Sequence, residues 1–418
     1  MVGIRGDNGR LQAFRAFTHS EFRRFYIGSI ASQMGFWFSH ISYQALMADL
    51  TNDELWVSLL FVVTFVPVLF FSSLGGLLAD RLDRKKLLLS TYAALISVAS
   101  LQVFLVATDA ISPMVLLLTS FLIGIVMAVL GPVVQAVTAN TVPKDDLSSA
   151  ISLQAMASNA SRVLGPAICA PLVSNGLYEI SWSLYGLGAG LALIVAAGIN
   201  LFPYELEKAS APIFRSLSDG VTHAREREAA WRALLLVGFM SIFGASHIAL
   251  MPSFTLNALG RPSSDFAWLG TATGFGALIG ALTAGSFTAK STLQRGALLA
   301  IPYSLTLLVF SRITDFTIAI LLQIVVGFFY IASFTTLQVV IQEIVGEQFR
   351  GRVMSLFQIA WAGLIPIGTL IMGLTASSKG LGLGSADTIG LTSLICVGYV
   401  ISVVFWDTFQ NTTNDKQT

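Results

Sequence analysis

The sequence predicts an all-α membrane protein of twelve transmembrane helices in two pseudo-symmetric six-helix halves. Two observations carry the helices. Mean hydropathy is +0.75 with only 11% charged residues, far from the roughly quarter-charged make-up of a soluble domain. Uncharged runs of about 20 residues, the length needed to cross a bilayer, recur along the whole chain. A third observation carries the halves: a long polar segment near the middle of the 418 residues, with weak self-similarity on either side of it.

The runs fall at approximately 25–48, 55–78, 87–107, 113–141, 148–174, 181–202, 233–256, 266–288, 296–312, 316–342, 353–376 and 388–406. The first follows a polar lead containing Arg5, Arg10, Arg15, Arg23 and Arg24 and ends without a small-residue cleavage pattern, so it reads as an uncleaved span. The second, LWVSLLFVVTFVPVLFFSSL, is continuous rather than alternating, which excludes a β-barrel strand. Between the second and third lies GGLLADRLDRKK (75–86), with six charges from Asp80 to Lys86. The sixth run ends at the polar stretch 204–232, read as a cytoplasmic linker with a short amphipathic helix between a first half (1–203) and a second (233–418).

Charge distribution orients the chain. With the N-terminus inside, 20 of the 24 Lys and Arg fall in cytoplasmic segments, three (Arg261, Arg312, Lys379) fall opposite, and Arg162 lies within a span. The positive-inside rule then places both termini in the cytoplasm. A net charge of +1 gives no ground for nucleic-acid binding, and Cys169 and Cys396, both within spans, suggest neither a disulfide framework nor a thiolate metal site. Glycine runs such as GLGAG (186–190) and GFGALIG (274–280) also lie in spans, without the preceding strand that a nucleotide fold requires. No cofactor or metal is expected.

A shift of 203 positions lays QAVTANTVPKDDLSSAISL (135–153) on QVVIQEIVGEQFRGRVMSL (338–356) and Gly165 on Gly368. SHI recurs at 39–41 and 246–248. Duplication is the physical reading, and two repeats about an axis along the membrane normal is an arrangement of secondary transporters.

The segment Gly76-Leu77-Leu78-Ala79-Asp80-Arg81-Leu82-Asp83-Arg84-Lys85 resembles the loop signature G-x-L-A-D-R-x-G-R-K of the major facilitator superfamily, with Asp83 where that family usually has glycine. Together with GFW (35–37) and NASRVLGPA (159–167), it resembles the branch of drug and siderophore exporters related to the enterobactin exporter. The resemblance implies the major facilitator fold. It also implies a latch in which Gly76, Asp80, Arg81 and Arg84 hold the cytoplasmic side shut, and an antiporter motif at Gly165 and Pro166, although Cys169-Ala170 replaces that motif's usual glycine pair.

Other candidates come from burial physics. Arg162 is the one cation within a span and needs a cavity or a partner there. Asn159, Arg162 and Pro166, three and four apart, share a helix face. His40 and His247 are mid-span groups able to titrate near neutral pH, so protons are the expected coupling ion; no acid stands near a span centre, and Asp49 and Glu343 lie near span ends. Gln33, Phe36, Trp37, Gln44, Asn140, Gln154, Gln338, Gln358 and Trp361 are candidate walls for a ligand of mixed polarity. The function these imply is export of a small amphiphilic molecule across the cytoplasmic membrane by a monomeric proton antiporter. An uncoupled facilitator or importer, or a non-transporting sensor on the same scaffold, stays open.

Overall fold

The structure, a computed structural model, describes residues 14–203, 220–288 and 292–415. Among them every regular element is helical. The twelve spans are α1 (Ser20–Thr51), α2 (Glu54–Arg81), α3 (Arg84–Ala107), α4 (Pro113–Ala139), α5 (Leu147–Ser174), α6 (Tyr178–Gly198), α7 (Glu228–Phe243, continued by Ala245–Leu250 and Met251–Asn257), α8 (Phe266–Thr288), α9 (Leu293–Phe310), α10 (Phe316–Ile344), α11 (Glu347–Gln358, continued by Ile359–Gly363 and Ile365–Ala376) and α12 (Gly384–Asp415). Ten are long and apolar enough to cross a membrane by length and composition; α1 and α5 are too polar to qualify. Of the expected linker, 204–219 lie outside the described residues, and so do 289–291 between α8 and α9.

Helix starts follow from local chemistry. Ser112 accepts from the Val115 N–H with Pro113 in the first turn of α4, and Asp315 accepts from the Ile318 N–H at the start of α10. Asp83, extended at φ −60°, accepts from the Lys86 N–H at 2.9 Å and caps α3. The position that is glycine in the family signature here needs no left-handed backbone, and its carboxylate satisfies a helix-terminal donor.

The chain folds into two compact units, one of Met1–Leu46 and Val63–Ser210, the other of Met47–Val62 and Ala211–Thr418. In the first, α3 packs along α6 and α4, around Tyr92, Trp182 and Tyr185. In the second, α10 packs along α8 and α9, and α9 along α12, around Phe254, Tyr303 and Phe310. A glycine in each unit permits a close approach of two helices. At Gly124 of α4 a Cβ would run into the Thr64 carbonyl of α2, and at Gly327 of α10 into the Thr273 carbonyl of α8. These glycines are separated by the same 203 positions as the sequence repeat.

The expected runs 233–256 and 353–376 are not unbroken helices. After Gly244 the backbone of α7 tightens into a 3-10 stretch, and at Ile359–Gly363 α11 widens into a π turn. Proline does not explain this alone, because Pro166 and Pro171 sit inside the uninterrupted α5. What accompanies the breaks is a set of hydroxyls. Ser241 of α7 donates to the Trp361 carbonyl at 2.9 Å, and Ser246 to the Ile365 carbonyl at 3.1 Å. Irregular backbone persists in a bilayer only where its polar groups are satisfied in this way.

Candidate functional site

The loop signature ties helix ends together within the first unit. Arg84 donates to the Ala79 carbonyl at the end of α2 (3.1 Å) and to Asn140 Oδ1 at the end of α4 (2.6 Å), with Asp80 Oδ1 at 3.8 Å. Lys85 donates to the Ile199 carbonyl just past α6, and Asn140 accepts the Phe202 N–H through its own carbonyl. Cations on helix C-terminal carbonyls are the favourable end of the helix dipole. The Arg84 side chain is only 13% exposed, whereas Asp80 is half exposed and Arg81 lies open. Gly76 faces open space; its neighbour Gly75 is the residue on which α2 presses against α4.

A second cluster, which sequence reasoning missed, holds the start of the chain. Asp146, at the entrance to α5, is buried and pairs with Arg15 at 3.1 Å and His19 at 2.7 Å, while the Ala16 N–H donates to Ser149. The clue available was an acid among the residues leading into a span. Its partners more than 120 positions earlier gave no pattern to find.

His40 is buried among aromatic rings: Phe36 stacks on it at 5.6 Å, and Trp37 and Phe65 meet it edge-on at 5.9 Å. Beside it is a cavity of about 10 Å3 with Ser39, Tyr43, Thr64 and Ser120 in its wall, room for about one water. Among the described residues Ser39 Oγ, a buried atom of this wall, finds no hydrogen-bond partner. Gln44, one turn on from His40, is buried with its amide nitrogen 3.5 Å from the His40 carbonyl. The structure thus groups Phe36, Trp37, His40 and Gln44, and adds Tyr43, Thr64 and Ser120, whose polar atoms are inconspicuous in apolar runs.

In α5 the shared face of Asn159, Arg162 and Pro166 changes character along its length. Asn159 and Arg162 are exposed, whereas Gly165 and Pro166 are buried, with Gly165 against the Trp37 ring. Nearer the loop, Gln154 and Gln33 both donate to Ser29 Oγ, at 2.6 and 3.0 Å.

The second unit arranges its candidates differently. His247 is buried, and its Nδ1 lies 2.7 Å from the Gly244 carbonyl. A carbonyl can only accept, so Nδ1 carries the proton and Nε2 is left as the acceptor. Trp361, in the wide turn of α11, donates from Nε1 to the Tyr330 hydroxyl at 2.8 Å and packs with Phe334 and Phe357. Tyr330 in turn meets Phe334 and Tyr303. Gln338 is half-buried on α10 and Gln358 is exposed on α11.

A family described as transmembrane secretion effector matches residues 11–416. This chain belongs to that family. It is a branch of the major facilitator superfamily, so the protein is a multi-pass membrane transporter with a small-molecule substrate. Macrolide efflux protein A of Streptococcus pyogenes is 23% identical over 367 residues, 86% of this chain and 89% of that protein. The staphyloferrin A transporter of Staphylococcus aureus is 24% identical over 390 residues, 90% of this chain and 94% of that one. In three dimensions the chain is similar to a bacterial homologue of the human lysosomal transporter Spinster, solved inward-facing and unoccupied, with a TM-score of 0.70 at 16% identity and 96% coverage of both chains. At that identity the likeness speaks for fold alone.

Proposed function

We propose that this transporter exports a small amphiphilic molecule by alternating access in exchange for protons, with both termini in the cytoplasm. One observation carries the reading: α1 and α5 are the two spans too polar to qualify as apolar membrane helices, and they bear Gln33, Phe36, Trp37, His40, Asn159 and Arg162. Polar and charged groups in a span are costly unless they face water, a partner or a ligand. Exposed Asn159 and Arg162 offer donors to an electron-rich or anionic group, and the Trp361–Tyr330 pair of the second unit offers aromatic surface with polar edges. The efflux and siderophore transport named for the two relatives point to ligands of that kind.

His40 is the favoured proton carrier, because it borders a cavity of about one water's volume with Ser39, Tyr43, Thr64 and Ser120 in its wall. The Nδ1 of His247 is committed to a backbone carbonyl in a closed turn. Asp80, half exposed beside Arg84, is the acid we assign to stabilising the outward-facing state, as the loop signature implies.

Inverted vesicles test the reading, with a macrolide and a carboxylate siderophore as probes. Both should accumulate when a pH gradient is imposed. His40→Gln should abolish that dependence while probe affinity stays within about threefold, since Gln keeps hydrogen bonding but does not ionise near neutrality. His247→Gln should retain it. Accumulation that survives collapse of the gradient in the wild type would refute proton antiport.

A further inference from the structure

In the second unit, α9 and α12 border a groove of about 340 Å3. Its mouth is an ion pair, Arg312 Nη1 to Asp387 Oδ1 at 2.6 Å, just past the end of α9 and in the first turn of α12. Its floor is Gly390, one turn on from Asp387. A Cβ there would stand 3.0 Å from Arg312 Nη2 and from Ser311 Oγ and would push both side-chain ends back by a few tenths of an ångström, so glycine leaves the guanidinium close against α12. Leu308, Leu391 and Leu394 continue the wall, with Leu391 and Leu394 exposed inside the apolar span Gly384–Trp406. One face of α12 therefore runs from an anion through a glycine shelf to an apolar stripe.

We propose that this groove binds a phospholipid whose headgroup carries both a phosphate and a primary amine. The ion pair does not exhaust either partner. Arg312 is 62% exposed and Asp387 57%, and the guanidinium keeps N–H donors beyond the one given to Asp387. A phosphate takes those donors in the forked geometry that Arg provides. The second oxygen of Asp387 accepts from the ammonium, which makes an alternating arrangement of four charges at the interfacial end of the helices. An acyl chain then lies along the leucine stripe, within the hydrocarbon that these helices cross. Exposed leucines at membrane depth select a lipid over a free phosphate, and the carboxylate selects an amine that can donate. A quaternary ammonium has no N–H, and a glycerol headgroup has no cation.

The test is native mass spectrometry of the full-length detergent-solubilised transporter, titrated with phosphatidylethanolamine, phosphatidylcholine or phosphatidylglycerol. The wild type should retain phosphatidylethanolamine at least about fivefold better than either of the others. Asp387→Asn should erase the preference over phosphatidylcholine while keeping binding; Arg312→Gln should weaken all three lipids. Leu391→Trp, which fills the groove and leaves both charges in place, should also lower retention of all three. Equal retention of the three lipids by the wild type would overturn the proposal. So would unchanged phosphatidylethanolamine retention in Asp387→Asn and Arg312→Gln, which would leave the ion pair as a bracket between two helix ends.

Discussion

The pair α1 and α5 in the first unit and the pair α7 and α11 in the second hold corresponding places in the repeat but handle their backbones in opposite ways. Gly165 of α5 packs on Trp37 of α1, and Gly368 of α11 packs on Ile242 and Ser246 of α7. The first pair runs as two continuous helices; the second is interrupted at Gly244 and at Ile359–Gly363. The two serines of the SHI echo show why. Ser246 donates to the Ser241 and Ile365 carbonyls, while Ser39 is buried with its hydroxyl without a protein partner among the described residues. The second unit uses side chains to satisfy irregular backbone, whereas the first keeps regular backbone and leaves polar atoms facing a cavity. The two halves share their close-packing glycines and differ in their polar chemistry.

The largest effect should come from the glycines that the halves share. Gly124→Leu and Gly327→Leu each force a side chain into a backbone carbonyl that cannot swing away, so each should cost about 3 kcal/mol or more and deplete folded protein. Thermal unfolding in detergent measures this. If one substitution is tolerated, the two helix contacts are not equivalent and the comparison fails at its base.

A middle-sized difference should separate the serines. Ser246→Ala removes a buried hydroxyl bonded to the Ser241 and Ile365 carbonyls and should cost about 0.5–1.5 kcal/mol, whereas Ser39→Ala removes a buried hydroxyl that has no protein partner among the described residues and should be near neutral or stabilising. Equal losses of melting temperature would show that Ser39 is satisfied by bound water and that the contrast is smaller than the side chains suggest.

The smallest effect should lie in Met47–Val62, the part of α1 and α2 that belongs to the second unit. Asp53 meets Lys379 at 2.9 Å, and Lys379 also lies over the Trp56 ring. Burial pushes the Asp53 carboxyl up, but hydrogen bonds from Lys379, Ser377 and the Leu55 N–H, with the Lys379 charge, outweigh it and hold the group below its ordinary value. Because Lys379 is 60% exposed, Asp53→Asn should cost under about 1 kcal/mol. A depressed carboxylate stabilises above its unfolded-state value and loses that contribution as pH falls through the folded one. The gap between Asp53→Asn and wild type should therefore be constant from about pH 5 to 8 and close only in strong acid. A gap that grows across the neutral range would assign the effect to another group.

Much of this was legible in the residues. Each expected run falls on one of the twelve spans, two of them interrupted and the last continuing to Asp415, because an apolar run of spanning length has no other way to satisfy its backbone in lipid. The charged loop at 80–86 and the grouping of Phe36, Trp37, His40 and Gln44 were also readable, the latter because residues three, four and seven apart on a helix are neighbours. The Asp146 cluster, the cavity wall from Thr64 and Ser120, and the Trp361–Tyr330 bond were not. Each joins different segments of the chain, beyond the reach of any local pattern, through residues whose types are common in any span.

By itself the sequence determined that the chain is helical, roughly where its helices start and stop, and that its two halves follow a similar pattern, since hydropathy, caps and repeats are all local in the chain. Only the tertiary structure decided which helices stay straight. Pro166 and Pro366 are the same residue type in equivalent spans, yet α5 continues and α11 opens. The outcome depends on whether a neighbouring helix brings a hydroxyl to the opened turn, as Ser241 does at the Trp361 carbonyl here. The placement of Met47–Val62 with the second unit is decided in the same way, by contacts between Asp53 and Lys379 and between Asp49 and Ser263. Both pairs lie more than 200 positions apart in the chain.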